Sequence, residues 1–446
     1  MAEITHRRVL GIALPIVLSN ATVPLLGAVD TGVVGQLGQA APIGAVGMGA
    51  VVLASFYWIF GFLRMGTSGL VAQAHGARDA AETGALLMRA LMIGAAAGLM
   101  AILLQAPIFG LAFRLAPATA EVEALTRDYL TIRIWGAPAT IALYAVTGWL
   151  IAVERTRGVL VLQLWMNGLN VALDLWFVLG LGWGVAGVAT ASLIAEWSGL
   201  GLGLWLCRAA FAGGQWHDWA RVFDRARTLR MMKVNSDIML RSIILQLSFT
   251  TFVFLAAGYG DVTLAANQVL LQFLEITAYG LDGFAFAAES LVGQAVGTRS
   301  AGHVRRASVV SSQWGVGGSV ALGLAFWFAG PGLIDLMAVD PEVRAAARAC
   351  LPWVAVAPVI GIASWMFDGI FIGATLSREM RNAMLVSGAI YLGALLTLPE
   401  AFGNHGLWAS LMVLNTARGL TMAMLYRRAE RAAAAQGALP PSPRSG

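Results

Sequence analysis

Two acids stand in otherwise apolar sequence. Asp30 lies in LPIVLSNATVPLLGAVDTGVVGQLG, residues 14–38, and Asp174 in NGLNVALDLWFVLGLGWG, residues 167–184. An ionised side chain near the centre of a bilayer costs about 2.5–3.5 kcal/mol on insertion scales. Such a group faces a cavity, finds a partner or takes up a proton, because the neutral acid is far cheaper in a low dielectric. A carboxylate that holds either a proton or an organic cation supplies the minimum chemistry of antiport. Asn167, Asn170 and Asp174 follow an i, i+3, i+7 spacing. They therefore share one face of a helix and would line a wet cavity. Asn20 is a further cavity candidate on the first stretch. Two acids with two amides could instead hold sodium through oxygen ligands. In the plain structural reading the two acids satisfy helix backbone or each other.

A second set of charges lies closer to the opposite surface: Arg64, Glu196, Asp237, Arg241, Asp282, Glu289 and Arg418. Counting about 1.5 Å per residue puts most of these about 10–20 Å from the inner surface, and Asp30 and Asp174 in the outer half. Asp237 and Arg241 are i, i+4 neighbours, and Asp282 or Glu289 on the next span could reach Arg241. The signs nearly balance, as buried charges require. The expectation is an ion-paired network that packs helices or closes the inner side. Glu275, Gln268, Gln272 and Asp368 are weaker candidates for a cavity wall in the second half.

The elements that position these groups are membrane helices. Of 446 residues, 58% are hydrophobic and only 12% charged. A soluble domain carries about 25% charged residues. Apolar runs recur at 9–36, 43–74, 86–113, 125–153, 158–181, 184–207, 232–258, 263–296, 304–330, 345–373, 379–401 and 405–427. Each is long enough to cross a bilayer. This predicts an all-α polytopic membrane protein with twelve transmembrane helices. With the N-terminus inside, about twenty-one Lys and Arg fall on the cytoplasmic side and four on the outer side. That bias fits an even number of spans with both termini cytoplasmic. The N-terminal apolar run has no small-residue cleavage site after it and reads as the first span. Pro15 and Pro24 lie in that span. Each removes a backbone donor, which favours a bend.

The chain also repeats. GTSGLVAQAHGARDAAE at 66–82 matches AAESLVGQAVGTRSAGH at 287–303, so that Gln73 meets Gln294, Gly76 meets Gly297 and Arg78 meets Arg299. At the same offset Gly148 meets Gly369, and Arg157 meets Arg378. Six spans repeated in the same sense predict two pseudo-symmetric six-helix lobes. The expected divisions are an N-terminal lobe at 1–207, a cytoplasmic linker at 208–233, a C-terminal lobe at 234–430 and a disordered tail at 431–446. The linker's Trp, Phe and Arg suit a short helix on the inner leaflet. The acids do not repeat: Asp30 maps onto Thr251 and Asp174 onto Leu395.

The chain resembles the multidrug and toxic compound extrusion (MATE) family, and within it the DinF-like branch. The resemblance rests on VDTGVVGQLG at 29–38, GTSGLVAQAHGARD at 66–79, NGLNVALDLWFVLGLGWGVAGVATAS at 167–192, VNSDIMLRSIILQLSF at 234–249 and LAANQVLLQFLEITAYGLDGFAFAAESLVGQAVGTR at 264–299. It implies a V-shaped pair of six-helix bundles and cation-driven efflux of organic, often cationic, compounds. It also implies that Asp30 and Asp174 line an N-lobe cavity, with Asn170 at the accompanying polar position. The sequence lacks the acidic pair that sodium-type relatives carry in the C-lobe, so the expected coupling ion is H+, with Na+ as the alternative.

The expected function is export of amphipathic or cationic organic molecules across a bacterial inner membrane by a monomer, with membrane lipids and small-molecule substrates as partners. A lipid or lipid-linked precursor flippase is the runner-up within transport, and a non-transporting receptor or scaffold is the reading from another class. The sequence carries no phosphate-binding loop, nucleophile elbow or metal-ligand spacing, so no enzymatic activity, metal or cofactor is expected. Its basic residues are scattered over loops, which gives no nucleic-acid patch. Cys207 and Cys350 are the two cysteines. They are too few for a disulfide framework and read as packing residues.

Overall fold

The computed structural model describes residues 3–36, 38–116, 118–212 and 215–435. All regular structure among them is helical. The helices are α1 (His6–Ala21), α2 (Val23–Gly35), α3 (Ala40–Trp58), α4 (Phe62–Gly76), α5 (Ala80–Leu103), α6 (Gln105–Leu115), α7 (Ala120–Arg133), α8 (Ala137–Ala152), α9 (Thr156–Asp174), α10 (Gly184–Leu206), α11 (Trp219–Val222), α12 (Arg225–Ala257), α13 (Asp261–Gly297), α14 (Ala301–Met337), α15 (Pro341–Gly373), α16 (Ser377–Leu425) and α17 (Arg427–Ala435). Ten uninterrupted stretches of the described residues are long and apolar enough to cross a membrane. The expected twelve spans are recovered from two local breaks. The first span is cut at Thr22 into α1 and α2, each too short alone. The long α16 is two spans joined at Gly403, which has a φ of 56°. That left-handed conformation suits a residue without a Cβ.

The break at Thr22 has a local cause. Pro24 occupies the first turn of α2. It has no N–H for the carbonyl four residues back. The Thr22 hydroxyl donates to the Ser19 carbonyl at 2.7 Å, closing the end of α1. Pro15, by contrast, is accommodated inside α1. Three other spans of the same half depart from α geometry. A 3-10 turn at Ile59–Gly61 separates α3 from α4, another at Ile134–Gly136 separates α7 from α8, and a π turn at Leu175–Gly180 continues α9 past Asp174. Such turns concentrate at functional positions.

The chain divides into two compact units. Among the described residues, one comprises 3–17, 72–78 and 232–435, the other those within 18–71 and 79–231. The division does not follow the chain end to end as 1–207 and 234–430 would. Residues 3–17 belong with the C-terminal helices because Gly283 on α13 lets the Ala13 carbonyl and Val17 approach its backbone. Residues 72–78 belong there because Gly76 abuts the Gln294 backbone and Gly297 abuts the Gln73 backbone. The linker groups with the other unit. Arg89 on α5 donates to the carbonyls of Val222 and Arg221 at 2.8 and 2.7 Å, and Arg221 pairs with Asp79 at 3.3 Å. Within the expected linker, α11 is a single turn, where the Trp219 and Phe223 rings stack at 5.8 Å and both are exposed, and residues 225–233 already belong to α12. Residues 431–435, expected to be disordered, continue α17, and 436–446 of the expected tail, with Arg444, lie outside the described residues.

The internal repeat is visible within each unit. Gly148 admits the Arg64 carbonyl in one, and Gly369 admits the Ala285 carbonyl at the matching position in the other. Arg78 and Arg299 both have φ 60°, and Glu154 and Thr375 have φ 60° and 52°. Replacing Gly148 or Gly369 by Val forces a side chain into backbone and should cost at least about 1–3 kcal/mol each. A Cβ added at Gly201 would meet nothing within 4 Å, so Gly201→Ala should be accepted without loss. Melting of the purified variants, followed by fluorescence-detected size exclusion, checks both expectations.

Candidate functional site

Two helices of the unit formed by 18–71 and 79–231, α2 and α9, carry the outer acids. Asp30 lies on α2 beyond the break at Thr22, and Asp174 is the last α-helical residue before the π turn. Their side chains are within hydrogen-bonding reach of each other. Asp174 is fully buried, and both its carboxyl oxygens and Oδ1 of Asp30 have no protein donor among the described residues. Two carboxylates are acceptors only, so a hydrogen bond between them requires a proton on one.

The polar stripe on α9 divides its tasks. Asn167 donates to the Thr22 hydroxyl at 2.9 Å and to the Thr22 carbonyl at 3.2 Å, and accepts from Gln163 at 3.0 Å. It therefore holds the break in the first span. Asn170, buried, donates to Ser192 on α10 at 3.2 Å. Asn20 lies in the last turn of α1, half-buried.

An arginine completes the group. Arg133, at the end of α7, forms an ion pair with Glu196 on α10 at 2.7 Å. It also interacts electrostatically with Asp30 and Asp174, and the Tyr129 hydroxyl is within hydrogen-bonding reach of it. Tyr57 on α3 is buried and interacts with both members of the pair. Sequence reasoning left Arg133 out of the site. The available signal was a fixed cation inside an apolar span, but which acid it would meet was not legible from spacing.

Within each unit several of the inner charges pair with residues outside the expected set. Glu196 belongs with Arg133. In the other unit Asp368 accepts from Arg241 and, at 2.8 Å, from Arg418. Asp237 instead pairs with Arg381 and accepts from Ser377 at 2.9 Å. The helical neighbours Asp237 and Arg241 thus turn to different partners on α16 and α15. Asp368, expected on a cavity wall, is the shared counter-ion of two buried arginines. Arg64 contributes its carbonyl to the Gly148 contact, while Glu289 is fully buried and Asp282 half-buried on α13. Gln268, Gln272 and Glu275 are exposed along α13. Cys207 and Cys350 are both buried and unbridged, as packing residues are.

No group of three or more metal-ligating side chains occurs among the described residues. The protein-family model described as MatE matches residues 15–176 and 238–395. The chain belongs to the MATE family. It is 39% identical to the DNA damage-inducible protein F of Escherichia coli K12 over 94% of its own length and 91% of that protein. It is 30% identical to a probable multidrug resistance protein NorM of Deinococcus radiodurans, over 96% and 97% of the two chains. The fold matches the Vibrio cholerae MATE transporter VcmN in the bent form with a TM-score of 0.85 at 20% identity, covering 96% and 97% of the chains. MATE membership makes this a multi-pass transporter of the multidrug and toxic compound efflux type.

Removing the carboxylate shared by two buried arginines leaves uncompensated charge, so Asp368→Asn should destabilise by about 3–5 kcal/mol. Asp335 pairs with Arg348, and both are exposed. Asp335→Asn should therefore cost at most about 1 kcal/mol. The difference in melting temperature between the two variants measures this.

Proposed function

We propose that this MATE protein is a proton-coupled antiporter that exports organic, often cationic or amphipathic, molecules by alternating access. The observation that carries the reading is the Asp30–Asp174 contact inside the bilayer-spanning region, with no protein donor among the described residues to satisfy Asp174. One proton makes the contact a hydrogen bond. Without it the two carboxylates repel and present negative charge to a cation. A cation arriving from the cytoplasm displaces the proton inward, and a proton arriving from outside displaces the cation outward. In this reading Asp30 is the coupling residue, Asp174 its partner, and Asn167 and Asn170 fix the two helices that carry them. The many arginines expected on one side support a bacterial inner-membrane location with cytoplasmic termini.

Sodium coupling is the second reading, favoured by the unsatisfied carboxyl oxygens of Asp174 with the Asp30 carboxyl beside them. Purified protein in liposomes with an imposed pH gradient separates the two. Adding a lipophilic cation should collapse the gradient with wild-type protein and leave it intact with Asp30→Asn, while folding is unchanged. Collapse of a sodium gradient alone would move coupling to sodium. Full cation export by Asp30→Asn would remove Asp30 from the mechanism, and silence in both gradients would turn attention to lipid flipping.

A further inference from the structure

The Arg133–Glu196 pair sits beside the acids but is not explained by proton exchange between them. Arg133 is a permanent cation within electrostatic reach of Asp30 and Asp174. Left alone it would turn toward them, because two acids attract a guanidinium more strongly than one tyrosine hydroxyl does. The fold prevents this with three features on two elements. Glu196 pairs with Nη1 of Arg133 at 2.7 Å. The next residue on α10, Trp197, donates its indole N–H to the Trp135 carbonyl at 3.1 Å, docking the 3-10 turn after Arg133 onto α10. Gly136, the last residue of that turn, has no side chain where Oε2 of Glu196 lies; a Cβ there would overlap that oxygen. The turn is thus shaped to seat Glu196 against Arg133.

We propose that Glu196 is a positioning residue that holds Arg133 away from the Asp30–Asp174 pair and so keeps that pair free to bind cationic cargo. The proposal rests on the acid pair being the cargo-binding charge. With Glu196 neutral, Arg133 occupies the acids as an internal counter-ion and competes with any organic cation. The remaining groups facing Arg133 are Tyr57 and Tyr129, which provide hydroxyls but no charge to replace Glu196.

The test is binding of tetraphenylphosphonium to purified protein at one fixed pH, with no gradient imposed. Glu196→Gln should weaken binding about tenfold or more, because a fixed internal cation then competes for the acids. Arg133→Gln/Glu196→Gln should recover most of the wild-type affinity, since the competitor is gone. Gly136→Ala, which displaces the Glu196 carboxylate without altering any charge, should weaken binding in the same direction. A merely structural pair changes binding only as far as it changes the folded fraction; at equal folded fraction, a double variant that binds no better than Glu196→Gln overturns the proposal. Wild-type affinity in Glu196→Gln also overturns it. If Glu196→Gln does not fold, Gly136→Ala and Arg133→Gln decide: weakened binding in the first with unweakened binding in the second supports the proposal, and any other pattern overturns it. Asp30→Asn measured alongside separates this role from the function it rests on. Loss of binding in Asp30→Asn with full binding in Glu196→Gln removes only the role of Glu196, whereas full binding in Asp30→Asn removes the acid pair as the cation site.

Discussion

The cost of charge in a low dielectric governs this structure. A bare carboxylate or guanidinium inside a span is too expensive to leave alone, so each must be paired, hydrogen-bonded or neutralised. The C-terminal helices meet this constraint with complementary ions. Asp368 serves Arg241 and Arg418, and Asp237 serves Arg381. The Asp30–Asp174 pair contains no cation of its own, and in the proposed mechanism a proton completes it. A fixed pair resists change, while a pair completed by a proton responds to its surroundings. The same physical rule therefore yields packing in one unit and, in the proposed mechanism, exchange chemistry in the other.

The two units share a repeat but differ in regularity. Matching glycines and matching left-handed residues recur at one offset, at Gly148 and Gly369, and at Arg78 and Arg299. The breaks cluster in the unit that carries the acids. Thr22 precedes the Asp30 helix, a 3-10 turn follows Tyr57 and Trp58, another follows Arg133, and the π turn follows Asp174. Each interruption frees backbone groups that a spanning helix would otherwise satisfy internally. The side chains beside them supply some of the replacements: Asn167 reaches the Thr22 carbonyl and Trp197 the Trp135 carbonyl.

Much of this was legible in the sequence because it follows from local rules. Apolar run length gives the spans, and the Gln-Ala-x-Gly-x-Arg repeat marks an offset at which the left-handed Arg78 and Arg299 recur. Asp30 and Asp174 stand out since any acid in such a run must be accounted for. Which charges meet was not legible. Asp237 and Arg241 are helical neighbours in sequence, yet their partners are on α16 and α15. Arg133 and Glu196 are far apart in the chain, and their meeting depends on how α7 and α10 pack. The assignment of residues 3–17 to the C-terminal helices was equally hidden, because it depends on Gly283 exposing a strip of backbone on α13.

The break at Thr22 also sets a mechanical scale. Asp30 lies eight residues beyond it, a rigid arm of about 12 Å at about 1.5 Å per residue. A tilt of about 10° at that joint would carry the carboxyl through about 2 Å, more than the working range of a hydrogen bond. The neighbouring Asp174 is anchored to a different helix and would not follow. In the proposed mechanism a small rotation at Thr22 would be enough to make or break the contact at Asp30, and the Asn167 hydrogen bonds to Thr22 would resist it.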